Sequence, residues 1–192
     1  MSNHAVFRQA SLTTDHAALR DLNIAYMAWV VDGLVQTTGA APPEVVRMGL
    51  APYVASVLDK LCAQVPPQGV FYMVMLDGAV AGMGGLRRVG GAGGGVVCAA
   101  NAGGAPTGMA EIKRVYVKPA FRGRQLGRAI VLRLIDDARG FGYRAVCLDS
   151  APFMQTAQRL YESLGFVDCA AYEGTEVPAA MNSSWRFMAR DI

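Results

Sequence analysis

The chain has 192 residues, 53% of them hydrophobic, with 18 Lys or Arg against 15 Asp or Glu and a formal charge of +3. That length suits one domain with a sizeable core, and the apolar content is too high for a disordered chain. The cations cluster only between Arg122 and Arg128, which excludes the long basic stripe of a nucleic-acid binder. Cys62, Cys98, Cys147 and Cys169 lack C-x-x-C spacing and His4 and His16 lie far from them, so no metal site is expected. Cys62 and Cys147 sit in apolar runs and read as small core residues. No basic-then-apolar leader opens the chain, and no run approaches the ~18 apolar residues of a spanning helix. The expectation is a cytoplasmic protein without a membrane partner.

In chain order, residues 6–10 read as a short edge strand. Thr13 or Thr14 offers an N-cap, with Asp15 in the first turn. Leu19, Leu22, Tyr26, Trp29 and Val30 then recur at helical spacing to about Leu34, with Gly33 or Gly39 as the stop. Pro42 and Pro43 start a second helix, and Val45, Val46, Leu50, Val54, Val57, Leu58 and Leu61 repeat at three and four. Pro52 inside that run predicts a kink or break. Residues 70–76 (VFYMVML) form a strand, Asp77-Gly78 a hairpin turn, and residues 79–86 the return strand. Gly82, Gly84 and Gly85 mark a bulge or a close backbone approach there. Residues 90–108, rich in Gly and Ala, predict a flexible insertion, or in a sharper reading a mobile lid. They satisfy neither a dinucleotide fingerprint nor a P-loop.

Residues 112–117 end in β-branched VYV before Pro119 and read as a strand. The turn Arg122-Gly123-Arg124-Gln125-Leu126-Gly127 opens into a helix over 126–139. Leu126, Ile130, Val131, Leu134, Ile135 and Ala138 form its buried face, and Gly140 and Gly142 stop it. Residues 144–149 are apolar on both faces and predict a central strand, parallel to the previous one. A helix over 155–164 follows, then strands at 166–170 and 185–189. A strand, a small-residue turn and a helix N-terminus make an anion site, because unpaired helical N–H groups point into the turn. With Arg122, Arg124 and Arg128 around it, two adjacent phosphates are the natural guest.

The segment Arg122 to Ala129 resembles the pyrophosphate loop of the GNAT superfamily of N-acetyltransferases: Arg or Gln, two residues, Gly, one residue, then Gly or Ala. Gln125 stands at the first-glycine position, which suggests that this residue needs no positive φ. A second block is similar too: Leu148-Asp149-Ser150, Pro152, Met154, Ala157, Leu160-Tyr161-Glu162 and Leu164-Gly165-Phe166, with Met154 where the superfamily often carries Asn.

The resemblance implies one α/β domain over residues 1–192, with its core motif at about 111–166. Its sheet should be mixed and mostly antiparallel, with helices on both faces. It implies acetyl-CoA as co-substrate, its pyrophosphate held by Arg122, Gly123, Arg124, Gln125, Leu126, Gly127, Arg128 and Ala129. The pantetheine arm would lie along Val115, Tyr116 and Val117, beside Met154 and Ala157. It implies direct transfer of the acetyl group in a ternary complex to an amine, of a small molecule or of a peptide or protein, with no metal. Tyr161 would be the general acid and Glu111, at the start of the strand, the general base. The alternative is a non-catalytic acyl-CoA-binding or sensing module; either would be a monomer or homodimer. Lys113 and Arg114 alternate, so each should point to a different face. Asn23, Tyr26 and Trp29 stand where relatives line acceptor pockets, although Tyr26 and Trp29 read first as core. The acceptor itself is not legible.

Overall fold

The computed structural model describes residues 5–89 and 108–192. The insertion expected at 90–108 therefore lies outside the described residues, apart from Gly108.

The edge strand β1 is Val6–Gln9. The first helix, α1, is Leu12–Thr38, and its N-cap is Ser11 rather than a threonine. The Asp15 carboxylate fixes that start by accepting the Ser11 N–H at 2.9 Å and the Arg8 guanidinium at 2.9 Å. Gly39, at φ 75°, ends the helix. Gly33 is interior: a Cβ there would lie 2.4 Å from the Phe153 ring, so its smallness serves packing. Two helices follow, α2 (Pro43–Met48) and α3 (Leu50–Cys62). The break falls at Gly49, with φ 83°, and not at Pro52. Pro52 sits in the first turn of α3, where its missing N–H costs no helical bond.

Strands β2 (Gly69–Leu76) and β3 (Ala79–Val89) are joined by Asp77 and Gly78, at φ 52° and 78°. Two positive φ values give the turn whose twist suits a hairpin. Strand β4 is Met109–Val117, three residues longer at its start than the sequence suggested, so Glu111 lies inside it. A single 3₁₀ turn, Pro119–Phe121, leads through the glycine turn to α4 (Leu126–Gly140). Then come β5 (Ala145–Ser150), α5 (Gln155–Ser163), a two-residue β6 (Val167–Asp168) and β7 (Arg186–Asp191).

The sheet has the order β1-β2-β3-β4-β5-β7-β6. Every pairing is antiparallel except β4 with β5, which the α4 crossover makes parallel. Alternation along the strands sends two sets of side chains to two layers. Val70, Tyr72, Val74, Leu86, Ala110 and Ile112 pack against five of the six apolar residues of α4 read from its periodicity, from Ile130 through Ala138, and the sixth, Leu126, sits beside Leu76 and Ala81. Phe71, Met73, Met83 and Tyr116 pack on the other face against α1 and α3. Each larger buried aliphatic or aromatic side chain contributes about 1.5–3 kcal/mol by leaving water. Gly84 lets α4 sit close, since a Cβ there would be 2.4 Å from Ile130. This is the expected α/β arrangement with helices on both faces of a mostly antiparallel sheet.

Candidate active site

β4 and β5 are hydrogen-bonded only over Met109–Glu111 and Ala145–Cys147, and then separate. The β5-facing edge of β4 beyond Glu111 thus has no strand partner, and a groove of about 640 Å³ opens along it. One wall is Val115, Tyr116 and Val117; the other is Met154, Ala157, Leu160 and Tyr161 from α5 and its entry. The floor is the turn with Arg122, Gly123, Gln125, Leu126, Gly127 and Arg128.

Contrary to the sequence expectation, Gln125 does adopt a left-handed backbone, at φ 57° and ψ 16°. It is the N-cap of α4, and the sharp entry from turn to helix imposes that conformation despite the Cβ, at a cost of about 1–2 kcal/mol. The Ala129 N–H closes the first helical bond on the Gln125 carbonyl at 3.1 Å. The amides of residues 126–128 therefore have no intrahelical acceptor, an arrangement that suits an anion. Arg122 Nε donates to the Val117 carbonyl at 3.2 Å, and its guanidinium lies 5.7 Å from the Trp29 ring. Arg124 and Ala129 do not line the groove; Arg124 leans towards Asp77, 3.6 Å away, and over the Phe121 ring.

A second cavity, of about 180 Å³, adjoins the groove on the α1 side. A bulge in β4 shapes it. Tyr116 pairs with Met83 but Lys113 pairs with Gly85, so Arg114 and Val115 together oppose Gly84. Arg114 takes up the extra residue at φ 56°. Lys113 and Arg114 consequently do not point to opposite faces: both reach this one cavity, because the bulge shifts the alternation by one. Tyr26, Trp29, Tyr53, Met181 and Trp185 supply apolar walls. Asn23 lines neither cavity; it is fully buried, with its amide donating to the Leu19 carbonyl at 2.9 Å.

Groove and cavity share Trp29, Val115, Met154, Ala157 and Tyr161. Tyr161 is 7% exposed and packs on Phe166, and its hydroxyl makes no hydrogen bond among the described residues. Burial holds its phenol well above the usual tyrosine range, so it stands protonated at the junction.

Glu111 lies behind this junction and lines neither cavity. It is 1% exposed; its Oε2 accepts from Arg87 Nε and its Oε1 from the Tyr172 hydroxyl at 2.8 Å. Lys113 Nζ is 3.6 Å from it and 2.8 Å from Glu176. The Tyr172 hydroxyl is also 3.4 Å from Asp149 Oδ2, while Asp149 Oδ1 accepts the Trp185 indole N–H at 2.9 Å. Asp149 does reach the cavity. Burial, followed by the nearby charge of Glu111, pushes its carboxyl up to about 6 against the opposing Trp185 hydrogen bond and Lys113 charge. Glu111 and Asp149 thus form a carboxylate pair bridged by a buried phenol.

Sequence reasoning gave Asp149 only as a strand end and as part of the second similar block, with no role. The alternation Cys147, Asp149 placed it on the Glu111 and Lys113 face, and that was the available signal. Tyr172, Glu176 and Trp185 come from an irregular segment between β6 and β7, whose path has no period to read. Among the described residues no group of three or more His, Cys, Asp or Glu is placed to hold a metal. No helix there is long and apolar enough to cross a membrane.

Comparison with known proteins places these features in a family. An uncharacterized N-acetyltransferase of Escherichia coli is 29% identical over 100 residues, 52% of this chain and 52% of its own length. The IAA acetyltransferase of Azospirillum brasilense is 39% identical over 61 residues, 32% of this chain and 40% of its own. The matches thus span about half or less of these curated relatives. The PaiA N-acetyltransferase of Thermoplasma acidophilum, solved in complex with coenzyme A, has the same fold, with a TM-score of 0.63 over 98% of this chain and 99% of its own at 15% identity. The model of the acetyltransferase (GNAT) family matches residues 43–166, from α2 through the turn, the bulged strand and α5, and the chain belongs to that family.

Proposed function

We propose that the protein is an acyl-CoA-dependent N-acetyltransferase that moves an acetyl group from acetyl-CoA directly to an amine in a ternary complex. The meeting of a long groove and a small cavity at Tyr161 carries this reading. The groove fits the co-substrate: an anion site at one end, an unpaired strand edge along it, and apolar walls towards the junction. Arg122, Arg128 and the amides of residues 126–128 would hold the pyrophosphate, with Arg124 adding charge from the turn's outer side. The backbone at Val115 and Val117 would pair with the amides of the pantetheine arm, giving affinity without side-chain specificity. Acetyl-CoA supplies the acyl group as a thioester.

The amine enters by the cavity. Asp149, backed by Glu111 through the Tyr172 hydroxyl, takes the amine proton as the N–C bond forms. Tyr161 gives its proton to the sulfur as the C–S bond breaks, so the products are the amide and free CoA thiol. In this reading the general-base role expected of Glu111 passes to Asp149, and Glu111, ion-paired with Arg87 and outside both cavities, positions the network through Tyr172. Tyr161, with its pKa held high, recovers a proton at once. Cys62 and Cys147 are buried thiols, which supports a cytoplasmic setting.

Thermal unfolding with saturating acetyl-CoA, CoA or NAD tests the co-substrate. A ligand at a hundred times its Kd adds about 2.7 kcal/mol of stability. A shift with both CoA species and none with NAD is expected. No shift with either would refute the groove assignment. Thiol release against a panel of amines tests turnover; CoA binding without any release would point instead to a non-catalytic acyl-CoA-binding module.

A further inference from the structure

The small cavity, lined by Glu44, Asp149 and Glu176 as well as Lys113 and Arg114, holds one cation without a direct carboxylate partner. Arg87 is paired with Glu111, and Lys113 with Glu176 at 2.8 Å. The Arg114 side chain has no hydrogen bond or ion pair among the described residues, the charge of Glu176 acting on it only from a distance, and its Nη1 is shut off from solvent without a partner. Its guanidinium lies 5.0 Å from the Tyr26 ring centre, an attraction that orients it but fills none of its N–H donors. A buried donor left unmade is costly, and more so when charged. The backbone at Arg114 is also held at φ 56° by the β4 bulge, a conformation rare for a residue with a long side chain. Strain and an open donor set coincide on one residue, and that residue faces the cavity that Asp149 and Tyr161 also line.

We propose that this cavity is the site of an acceptor that carries both an amine and a carboxylate, an amino acid with an apolar side chain, whose carboxylate is bound by Arg114. The inference rests on the acetyltransferase reading of the same site. A planar guanidinium fork matches a carboxylate through two parallel hydrogen bonds. Asp149 provides the opposite pole, where the amine loses its proton. A cavity of about 180 Å³ is below the ~300–1,000 Å³ of drug-sized ligand sites, so the acceptor is small. Trp29, Tyr53, Met181 and Trp185 leave an apolar wall for the side chain.

The test is equilibrium binding to the CoA-saturated protein, which reads recognition without turnover. Leucine and phenylalanine are each compared with their amide and their decarboxylated amine. In at least one series the acid binds about 10- to 100-fold tighter than the other two, the worth of a charged hydrogen-bond pair. Arg114→Gln brings that ratio close to one, and Arg114→Lys retains part of it. A wild-type ratio near one in both series overturns the proposal whether or not the variants fold. So does a ratio that survives Arg114→Gln, or no binding by any probe while CoA still binds; these leave the co-substrate reading intact. Absence of CoA binding would remove that reading and this one together.

Discussion

Replacing Asp149 by Asn should make the protein more stable and less active, and the two effects should separate by pH. Asp149 is pushed from 3.8 up to about 6, first by burial and then by the charge of Glu111. Its folded-state pKa is therefore above its unfolded value, and the native state holds the proton more tightly. The stability this gives is complete below about pH 3.8 and is lost as pH rises through about 6. A shift of roughly two units at 1.36 kcal/mol per unit amounts to about 3 kcal/mol that the ionised carboxylate withholds at pH 8. Asn removes the charge and keeps an oxygen for the Trp185 indole and a donor towards Tyr172. The difference between Asp149→Asn and wild type should thus grow by about 3 kcal/mol from pH 4 to pH 8, or roughly 6–12 °C in Tm for a chain of this size. Thermal unfolding of both proteins across that range is the assay. Over the same range the wild-type kcat/KM should rise through about pH 6 as the base ionises, and kcat in the variant should fall by about 10²- to 10⁴-fold. A stability difference that does not change with pH would refute the buried-carboxylate argument, and a variant less stable than wild type at pH 8 would show that the hydrogen bonds outweigh desolvation.

Three other substitutions probe neighbouring parts of the site. Tyr161→Phe should lower kcat by about 10²- to 10⁴-fold while leaving Tm within a degree or two, because the hydroxyl has no hydrogen-bond partner to lose; steady-state kinetics beside thermal unfolding reads both, and an unimpaired kcat rules out the acid role. Glu111→Gln should behave differently, destabilising by on the order of 3 kcal/mol, since it leaves the Arg87 guanidinium in the interior without its carboxylate; urea unfolding measures this, and a stability within 0.5 kcal/mol of wild type, about the error of a surface change, would contradict the buried pairing. Gln125→Gly should stabilise by up to about 1 kcal/mol by relieving a left-handed backbone at the α4 entry, with acetyl-CoA affinity retained; a loss of affinity above tenfold would show that the Gln side chain itself contacts the ligand.

The parts of this molecule that could be read from sequence are those where one local rule acts alone. In α4 the period of 3.6 had no competitor, and Leu126, Ile130, Val131, Leu134, Ile135 and Ala138 are all buried as their spacing requires. Asp77-Gly78 formed its hairpin for the same reason. Reading failed where two rules competed. Gly49 and Pro52 both interrupt a helical run; Pro52 is harmless three residues into a new helix, so Gly49 took the break. Gln125 follows helix-entry geometry over its own side-chain preference. Most consequential is the β4 bulge. Strict alternation separates Lys113 from Arg114, and one extra residue, accommodated at Arg114 opposite Gly84 of β3, brings both cations to the same side. A bulge depends on the partner strand, and no window along β4 alone contains it. The same holds for the buried carboxylate network: Glu111 and Asp149 are 38 positions apart, and Tyr172 joins them from the irregular stretch after β6. The groove follows from a contiguous motif and was visible in it. The cavity beside the groove depends on contacts between strands and a loop that only the folded chain brings together, so its side chains can change without altering the Arg122–Gly127 turn.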